Sequence, residues 1–551
     1  MAKNAEAQPT AEKAFDNHAD HLDRVETPMK PAELVSEAIA QGQITSGYET
    51  LTLWQTVKKF KLVSIVCFLA ALSAATDGYQ VAMSASIIAN KGFVEQFATT
   101  TNAAGTKFID SPIISSWGAC MNVGQMLGQT TVSFLSAKFG RKAAMYWLWL
   151  VLLTSVLAET LARHWAVWLV AKMLAGYGVG CLQAVILGYI SEIAPPRIRG
   201  GLLMCYSFWW TLGSFLTHVA LQSMSKRSPY NWLTPVYTQW AQVGLMIVIY
   251  VFLPESPVWL ATVGREEKAK ECLRWLHRGV EGYDVDHQYS LITLSLEHER
   301  AMASDQRKES WTNIFRGTDG RRTLTALWTV VAQQFTGLAL FGTFGTYFFQ
   351  QAGLPDPFAI KAITVSLQIV TVIAAVFLVD KLGRRLMACL ATTLMWVTCL
   401  VVGILGVAPQ VKATTYIFVL FASLWIFLFA DVGIAANGAA GWGFIGEISS
   451  QRLRPYTSGF AASANSFAGL IMSVLMPYMV NANRWNWGLK TGFFYTGVGA
   501  PFVLGMWFLI PEVAGRSAAE LDELFESKVK PWRFHKTETA TQRLVQAERE
   551  D

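Results

Sequence analysis

Apolar runs of about 20 residues, each closed by a polar or charged break, recur along almost the whole chain. A helix of that length covers a hydrocarbon core of roughly 30 Å and satisfies its own backbone hydrogen bonds inside it. The runs predict spanning helices over 62–88, 114–136, 143–161, 165–189, 201–223 and 233–253. A second set follows over 324–350, 357–379, 387–408, 415–446, 456–480 and 489–510. Between the sets, 254–323 is crowded with Arg, Lys, Glu and Asp and reads as a polar linker with short helices at 265–280 and 288–303. The expected organisation is a tail over 1–57, a six-helix bundle over 58–253, the linker, a second six-helix bundle over 324–511, and a tail over 512–551. The fold class is therefore an all-α membrane protein of about twelve transmembrane helices in two pseudo-symmetric bundles.

An internal repeat supports the two-bundle reading. After the second helix of each set come Gly140-Arg141-Lys142 and Asp380-Lys381-Leu382-Gly383-Arg384-Arg385. After the fourth come Glu192-Ile193-Ala194-Pro195-Pro196-Arg197-Ile198-Arg199 and Glu447-Ile448-Ser449-Ser450-Gln451-Arg452-Leu453-Arg454, and after the sixth Pro254-Glu255 and Pro511-Glu512. Three short patterns in register argue for duplication. Gly allows a tight turn between helices, and Arg with Glu at helix ends makes charge-assisted contacts between neighbouring bundles. Arg141, Glu192, Glu255, Asp380, Arg384, Arg385, Glu447 and Arg452 are accordingly expected to form a gate whose ion pairs break when the bundles rock.

Composition agrees: 52% of the 551 residues are hydrophobic and 15% charged, too apolar for a soluble chain of this length. The net charge of +6 matters less than its placement. The short loops alone give a weak bias, whereas Lys58, Lys59, Lys61 and the linker place both termini on the cytoplasmic side. The first 56 residues lack the apolar run of a cleaved signal peptide. Cys67, Cys120, Cys181, Cys205, Cys272, Cys389 and Cys399 sit in apolar runs or in the linker and read as packing residues. No phosphate loop, metal-spaced cluster or nucleophile with a positioned base appears, so no metal, cofactor, enzyme activity or nucleic-acid partner is expected.

At these repeated motifs the chain resembles the sugar porter branch of the major facilitator superfamily, over about Lys59 to Glu526. Further matches are Gln333-Gln334 with Gly337, Pro254-Glu255-Ser256-Pro257 with Trp259-Leu260, and Gly515-Arg516 with Glu520-Leu521. Within that branch it is similar to fungal α-glucoside (maltose) permease-like transporters. Asp77-Gly78-Tyr79, Gly345-Thr346-Tyr347-Phe348-Phe349 and Pro477-Tyr478-Met479-Val480-Asn481 with Trp485-Asn486-Trp487-Gly488 carry that likeness. The resemblance implies the major facilitator fold, alternating access, a sugar or sugar-like cargo, the plasma membrane, and a monomeric functional unit. The chain also departs from the pattern. Gln80 stands where the family usually has Asp, Ala339 for Asn, Lys172 for Arg, Ala439 for Pro, Ala137 for an acid, Ser207 for Gln and Val258 for Arg.

Intramembrane polar residues are costly and need a partner, water or a function. Asp77 and Gln80 lie about one turn apart and share a face, with Lys172 as the candidate cation. Asp77 and Lys172 either couple a proton to transport or form a fixed ion pair, and Tyr79 and Gln80 are expected to line the cavity. Hydroxyl-rich rings call for neutral amides and an aromatic face, which Gln183, Gln333, Gln334, Asn437, Asn465 and Trp442 supply. The resemblance implies ligand contact for Gln333, Gln334 and Trp442. For Gln183, Asn437 and Asn465, helix-to-helix bonding is the equal alternative. Asp431 is a second intramembrane acid without a family counterpart, read as a private substrate contact or a hydrated surface group. Gly176 and Gly180 have the spacing of a close helix contact. Three functions stand at this point: transport of a sugar or sugar-like solute with or without a proton, transport of a fungal specialised metabolite on the same fold, and non-transporting nutrient sensing.

Overall fold

The computed structural model describes residues 53–101, 105, 107–280, 282–308, 311–354, 356–382, 384–409, 411–432, 448–449, 453–481, 483–513 and 518–537. The first half holds α1 (Lys61–Ala89), α2 (Ser111–Phe139), α3 (Arg141–Leu161), α4 (Trp165–Ile193), α5 (Pro196–Arg227) and α6 (Leu233–Phe252). The second holds α7 (Gly317–Thr343), α8 (Pro357–Leu382), α9 (Arg384–Leu405), α10 (Lys412–Val432), α11 (Arg454–Val480) and α12 (Thr491–Leu509). The expected helix over 415–446 is thus seen as far as Val432, and its remainder lies outside the described residues. Among the described residues, nine helices are long and apolar enough to cross a membrane. Two more, α2 with 29 residues and α5 with 32, have the length but not the apolarity. Both border the space between the halves, where polar side chains have water or each other for partners.

Observed helices run past the apolar runs because their polar ends reach beyond the hydrocarbon. α5, for example, starts at Pro196 and ends at Arg227 rather than spanning 201–223. The seventh helix departs most from expectation. It is broken, with Thr336 and Gly337 off helical geometry, Gly337 at φ 103°, and a separate segment Gly345–Gln351 following. Only glycine adopts that φ readily, so Gly337 sets the break. A two-residue hairpin, Thr100–Thr101 against Lys107–Phe108, decorates the loop after α1.

Packing inside the first half depends on small residues. A side chain at Gly176 or Gly180 of α4 would run into the Met121 or Gln125 carbonyl of α2. Gly124 and Gly128 of α2 meet Met173 and Tyr177 of α4 in the same way. The expected close contact is therefore reciprocal, and the two backbones nearly touch. At the end of this half away from the linker, Phe93, Phe97, Trp117, Trp168 and Trp232 pack edge-on or tilted at ring separations of 4.5–6.4 Å.

The linker forms Pro257–Thr262, Glu266–Leu276 and Val285–Lys308. Lys270 ties the last two together through Glu266 at 2.7 Å and Asp286 at 2.6 Å. His277 is half-buried, stacked on Tyr283 at 4.0 Å and edge-on to Phe60 at 5.6 Å. Burial pushes its imidazole down to about 4, although its Nδ1 bonds the Leu273 carbonyl.

The repeated motifs take matching positions in the two halves. Glu255 accepts from the backbone N–H groups of Arg141 and Lys142 at 2.9 and 3.2 Å, and Glu512 accepts from that of Arg385 at 3.1 Å. Each carboxylate caps the start of the third helix of its own half, where free N–H groups and the helix dipole favour a negative charge. Gly140, at φ 106°, makes the turn into the first of these. Arg141 also forks onto Glu192, with its nearest contact at 2.6 Å, and onto the Ser136 carbonyl. The expected contacts between bundles are thus replaced by contacts within one half, because each Glu and Arg belongs to the same six helices. The side chains of Asp380, Arg384, Glu447 and Arg452 lie outside the described residues.

Candidate functional site

The two halves meet along α2 with α11 and α5 with α8. Between them lies a cavity of about 310 Å³, walled by α1, α2, α4 and α5 on one side and α7, α8, α10 and α11 on the other. Gln334 of α7 and Gln183 of α4 both reach its wall. Gln333 and Asn465 stand behind it. Their role is visible in one shared acceptor, Asn465 Oδ1, which takes bonds from Gln333 Nε2 at 3.2 Å and Gln334 Nε2 at 3.1 Å. Asn465 therefore joins α11 to α7 and fixes the amide that faces the cavity. Trp442 and Asn437 lie outside the described residues, as does the side chain of Asp431. The aromatic face that is described comes from Trp425 and Phe429, stacked at 5.2 Å. Trp425 is held by an Nε1 bond to the Thr336 carbonyl at 2.8 Å.

Gln183 is the centre of a second network. Its Oε1 accepts from Gln125 at 2.8 Å and Gln129 at 2.9 Å, while its Nε2 donates to Asp77 Oδ2 at 3.0 Å. Tyr206 donates to the same oxygen at 2.8 Å. Asp77 is fully buried and connects to the cavity through Gln183. Lys172 is not its ion-pair partner. That ammonium bonds Glu159 of α3 at 2.9 Å, with both side chains at 1% exposure or less. Gln239 of α6 donates to the other Glu159 oxygen at 2.9 Å, and the Trp168 ring faces the ammonium at 4.4 Å. Sequence reading missed Glu159 because it sits two residues from the end of its apolar run. Nothing in a single chain shows that α3 and α4 bring it to Lys172.

Two further expectations are corrected. Tyr79 and Gln80 do not line the cavity, since the wall from α1 is Val81, Ala82, Ser84, Ala85, Ser86 and Ile88. The Tyr79 hydroxyl turns into the bundle and donates to the Pro235 carbonyl at 2.9 Å, beside Thr238. Gln80 is fully buried behind the wall.

Away from the linker the halves are fastened together. Arg484 grips Asp110 at 2.8 Å, and Gln222 bonds Asp356 at 2.9 Å. Ser86 meets Thr346 at 3.0 Å, Gln350 donates to the Ala89 carbonyl at 3.0 Å, and Ser115 to that of Val474 at 2.8 Å. Asn122 reaches Ser473 at 3.1 Å. These contacts shut the cavity toward that face.

The family model "Sugar (and other) transporter" matches residues 66–525. The chain belongs to that family. Among its relatives, the MFS transporter fmqE of Aspergillus fumigatus is 28% identical, across 94% of this chain and 97% of that protein. The general alpha-glucoside permease of Saccharomyces cerevisiae is 26% identical, across 90% and 80%. The high-affinity fructose transporter ght6 of Schizosaccharomyces pombe is 28% identical, across 75% and 77%. The fold matches the inward open xylose transporter XylE of E. coli, with TM-score 0.68, 19% identity, and 84% and 99% of the two chains covered. This protein is thus a multi-pass transporter of the major facilitator fold, and not an enzyme.

Within this transporter the departures from the family pattern become interpretable. Gln80 brings no charge to the first helix, and the carboxylate facing Lys172 comes from α3 instead. Lys361 of α8 and His218 of α5, both on the cavity wall, were also missed. Lys361 falls four residues after Pro357, inside the expected 357–379 helix, whose rotation turns it inward.

Proposed function

We propose that this transporter moves a sugar or sugar-like small solute through the central cavity by alternating access. The observation that carries this reading is the cavity itself, built equally from both halves and walled by amides, hydroxyls and the Trp425 ring. Such a wall suits a solute with many hydroxyls around an apolar face. The names of the relatives point the same way, toward α-glucosides and hexoses. Gln334 and Gln183 hold the cargo directly, Gln333 and Asn465 orient Gln334, and Trp442 and Asn437 are the remaining contacts. The two halves correspond to 58–253 and 324–511, and one polypeptide is the functional unit. The protein resides in the plasma membrane with both termini and the linker in the cytoplasm, as Lys58, Lys59 and Lys61 favour. The fastened face is then extracellular, and the state seen is closed to the outside. The inner gate draws on Asp380, Arg384, Glu447 and Arg452, while Arg141, Glu192, Glu255 and Arg385 brace their own halves.

The Asp77–Gln183 contact favours proton coupling as part of this function. A solute bonding Gln183 pulls on the donor that stabilises the Asp77 carboxylate, so occupancy and protonation are linked. Lys172, on the same face of α4 as Gln183, takes part in this scheme through its Glu159 pair. Uptake of labelled maltose, glucose, fructose and gluconate by a carrier-deficient yeast expressing the transporter tests the cargo. Absence of uptake across the panel with normal surface expression overturns it. Simultaneous recording of external pH tests the coupling, and an unaltered proton signal in Asp77→Asn with retained uptake overturns that part.

A further inference from the structure

The cavity wall carries charge of one sign only. Its described lining includes Lys172, Lys361 and His218 and contains no Asp or Glu. Lys172 is already neutralised from behind by Glu159. Lys361 is different. Its ammonium bonds the Phe341 carbonyl at 2.6 Å and the Gly342 carbonyl at 3.2 Å, and no carboxylate among the described residues comes within ion-pairing distance. These carbonyls belong to the broken part of α7, so they supply dipoles but no counter-charge. An ammonium buried at 4% exposure with two neutral acceptors keeps its third N–H unspent and its charge uncompensated. His218 stands on the same wall across the interface, on α5. Its Nδ1 is committed to the Ser214 carbonyl at 2.7 Å and its Nε2 to Ser86 at 3.1 Å.

We infer that the cargo brings the missing charge: the solute is a polyhydroxylated acid, its carboxylate seated against Lys361 and its hydroxyls facing Gln334 and Gln183. The inference rests on the sugar-like cargo proposed above and narrows it to the anionic class. A cavity of about 310 Å³ accommodates a hexose-sized acid. A carboxylate completes the lysine's donor set and cancels its charge in the same step. A neutral sugar leaves that charge uncompensated and is the poorer ligand.

The test is uptake of labelled gluconate, glucuronate, glucose and maltose by carrier-deficient yeast expressing the full-length wild-type protein, Lys361→Met or Lys361→Arg, with surface amount measured for each. The expected result is wild-type uptake of at least one acid more than tenfold above glucose. The ratio of acid to glucose uptake then falls at least tenfold in Lys361→Met and recovers in part in Lys361→Arg. If Lys361→Met fails to reach the surface, thermal stabilisation of the purified wild-type protein by gluconate and not by glucose is the equivalent supporting result. Glucose or maltose uptake that neither acid inhibits overturns the inference while leaving the sugar-transport reading standing. Acid uptake that is unchanged in Lys361→Met overturns it as well. No uptake of any of the four overturns both.

Discussion

Replacing Glu159 by Gln leaves the Lys172 ammonium buried against Trp168 with a neutral amide in place of its counter-ion. The pair is 2.9 Å apart with exposures of 1% and 0%, so water does not take over the lost partner. Breaking a buried pair from one side costs about 3–5 kcal/mol, most of it the desolvation of the charge left behind. At about 2–4 °C per kcal/mol for units of 150–250 residues, midpoints fall by about 6–20 °C. Lys172→Met inflicts the converse damage, stranding the Glu159 carboxylate with only its Gln239 bond. Glu159→Gln with Lys172→Met removes both charges, retains an acceptor for Gln239, and returns most of the loss. The double variant should lie at least 2 kcal/mol above the sum of the single effects, a coupling of the size adjacent residues in one network show. The assay is thermal unfolding of the purified protein in one detergent, run as a double-mutant cycle. Additive single effects, or a Glu159→Gln midpoint within 2 °C of wild type, would refute the claim that these charges depend on each other.

Other consequences are sharper in direction than in size. Gly176→Val drives a branched side chain into the Met121 carbonyl and should abolish monodisperse, folded protein on size exclusion, whereas the same change at the open Gly188 should not. Glu255→Gln weakens a charge-assisted cap on two N–H groups and should cost about 1.5–3 kcal/mol, read as a lower midpoint and faster hydrogen exchange at the start of α3. Gln334→Ala removes one neutral hydrogen bond to cargo, worth about 1 kcal/mol, and should raise KM about fivefold with kcat less affected. The linker should loosen in acid. His277 is held neutral at a value near 4 against 6.5 when free, so its contribution is present above pH 6.5 and is lost as pH falls toward 4. Hydrogen exchange in Glu266–Leu276 should rise over that window in wild type and stay flat in His277→Phe.

The fold was legible because its signal is repeated: spans of about 20 apolar residues set membrane crossings one by one, and the three matched motifs set the duplication. The amides of the site were legible for the same reason that made them conspicuous, since Gln183, Gln333 and Gln334 interrupt apolar runs. What sequence withheld was pairing across helices. Asp77 and Lys172 looked like natural partners, yet Lys172 bonds Glu159, and Asp77 is held by two neutral donors, Tyr206 and Gln183. Rotation was equally hidden. Tyr79 and Gln80 sit in the helix that borders the cavity, but the face it presents begins at Val81.

The interruption of the seventh helix gives this polypeptide a joint. A continuous rod would transmit any tilt of its far segment straight to Gln333 and Gln334. Here Phe341 and Gly342 turn their carbonyls to Lys361, and Thr336 offers its own to Trp425. The elbow is therefore held from two neighbouring helices as well as by its own wide-turn backbone bonds. Gly345–Gln351 can thus move as a separate piece once its ties to Ser86 and Ala89 are released, while the amides deeper in the bundle keep their station.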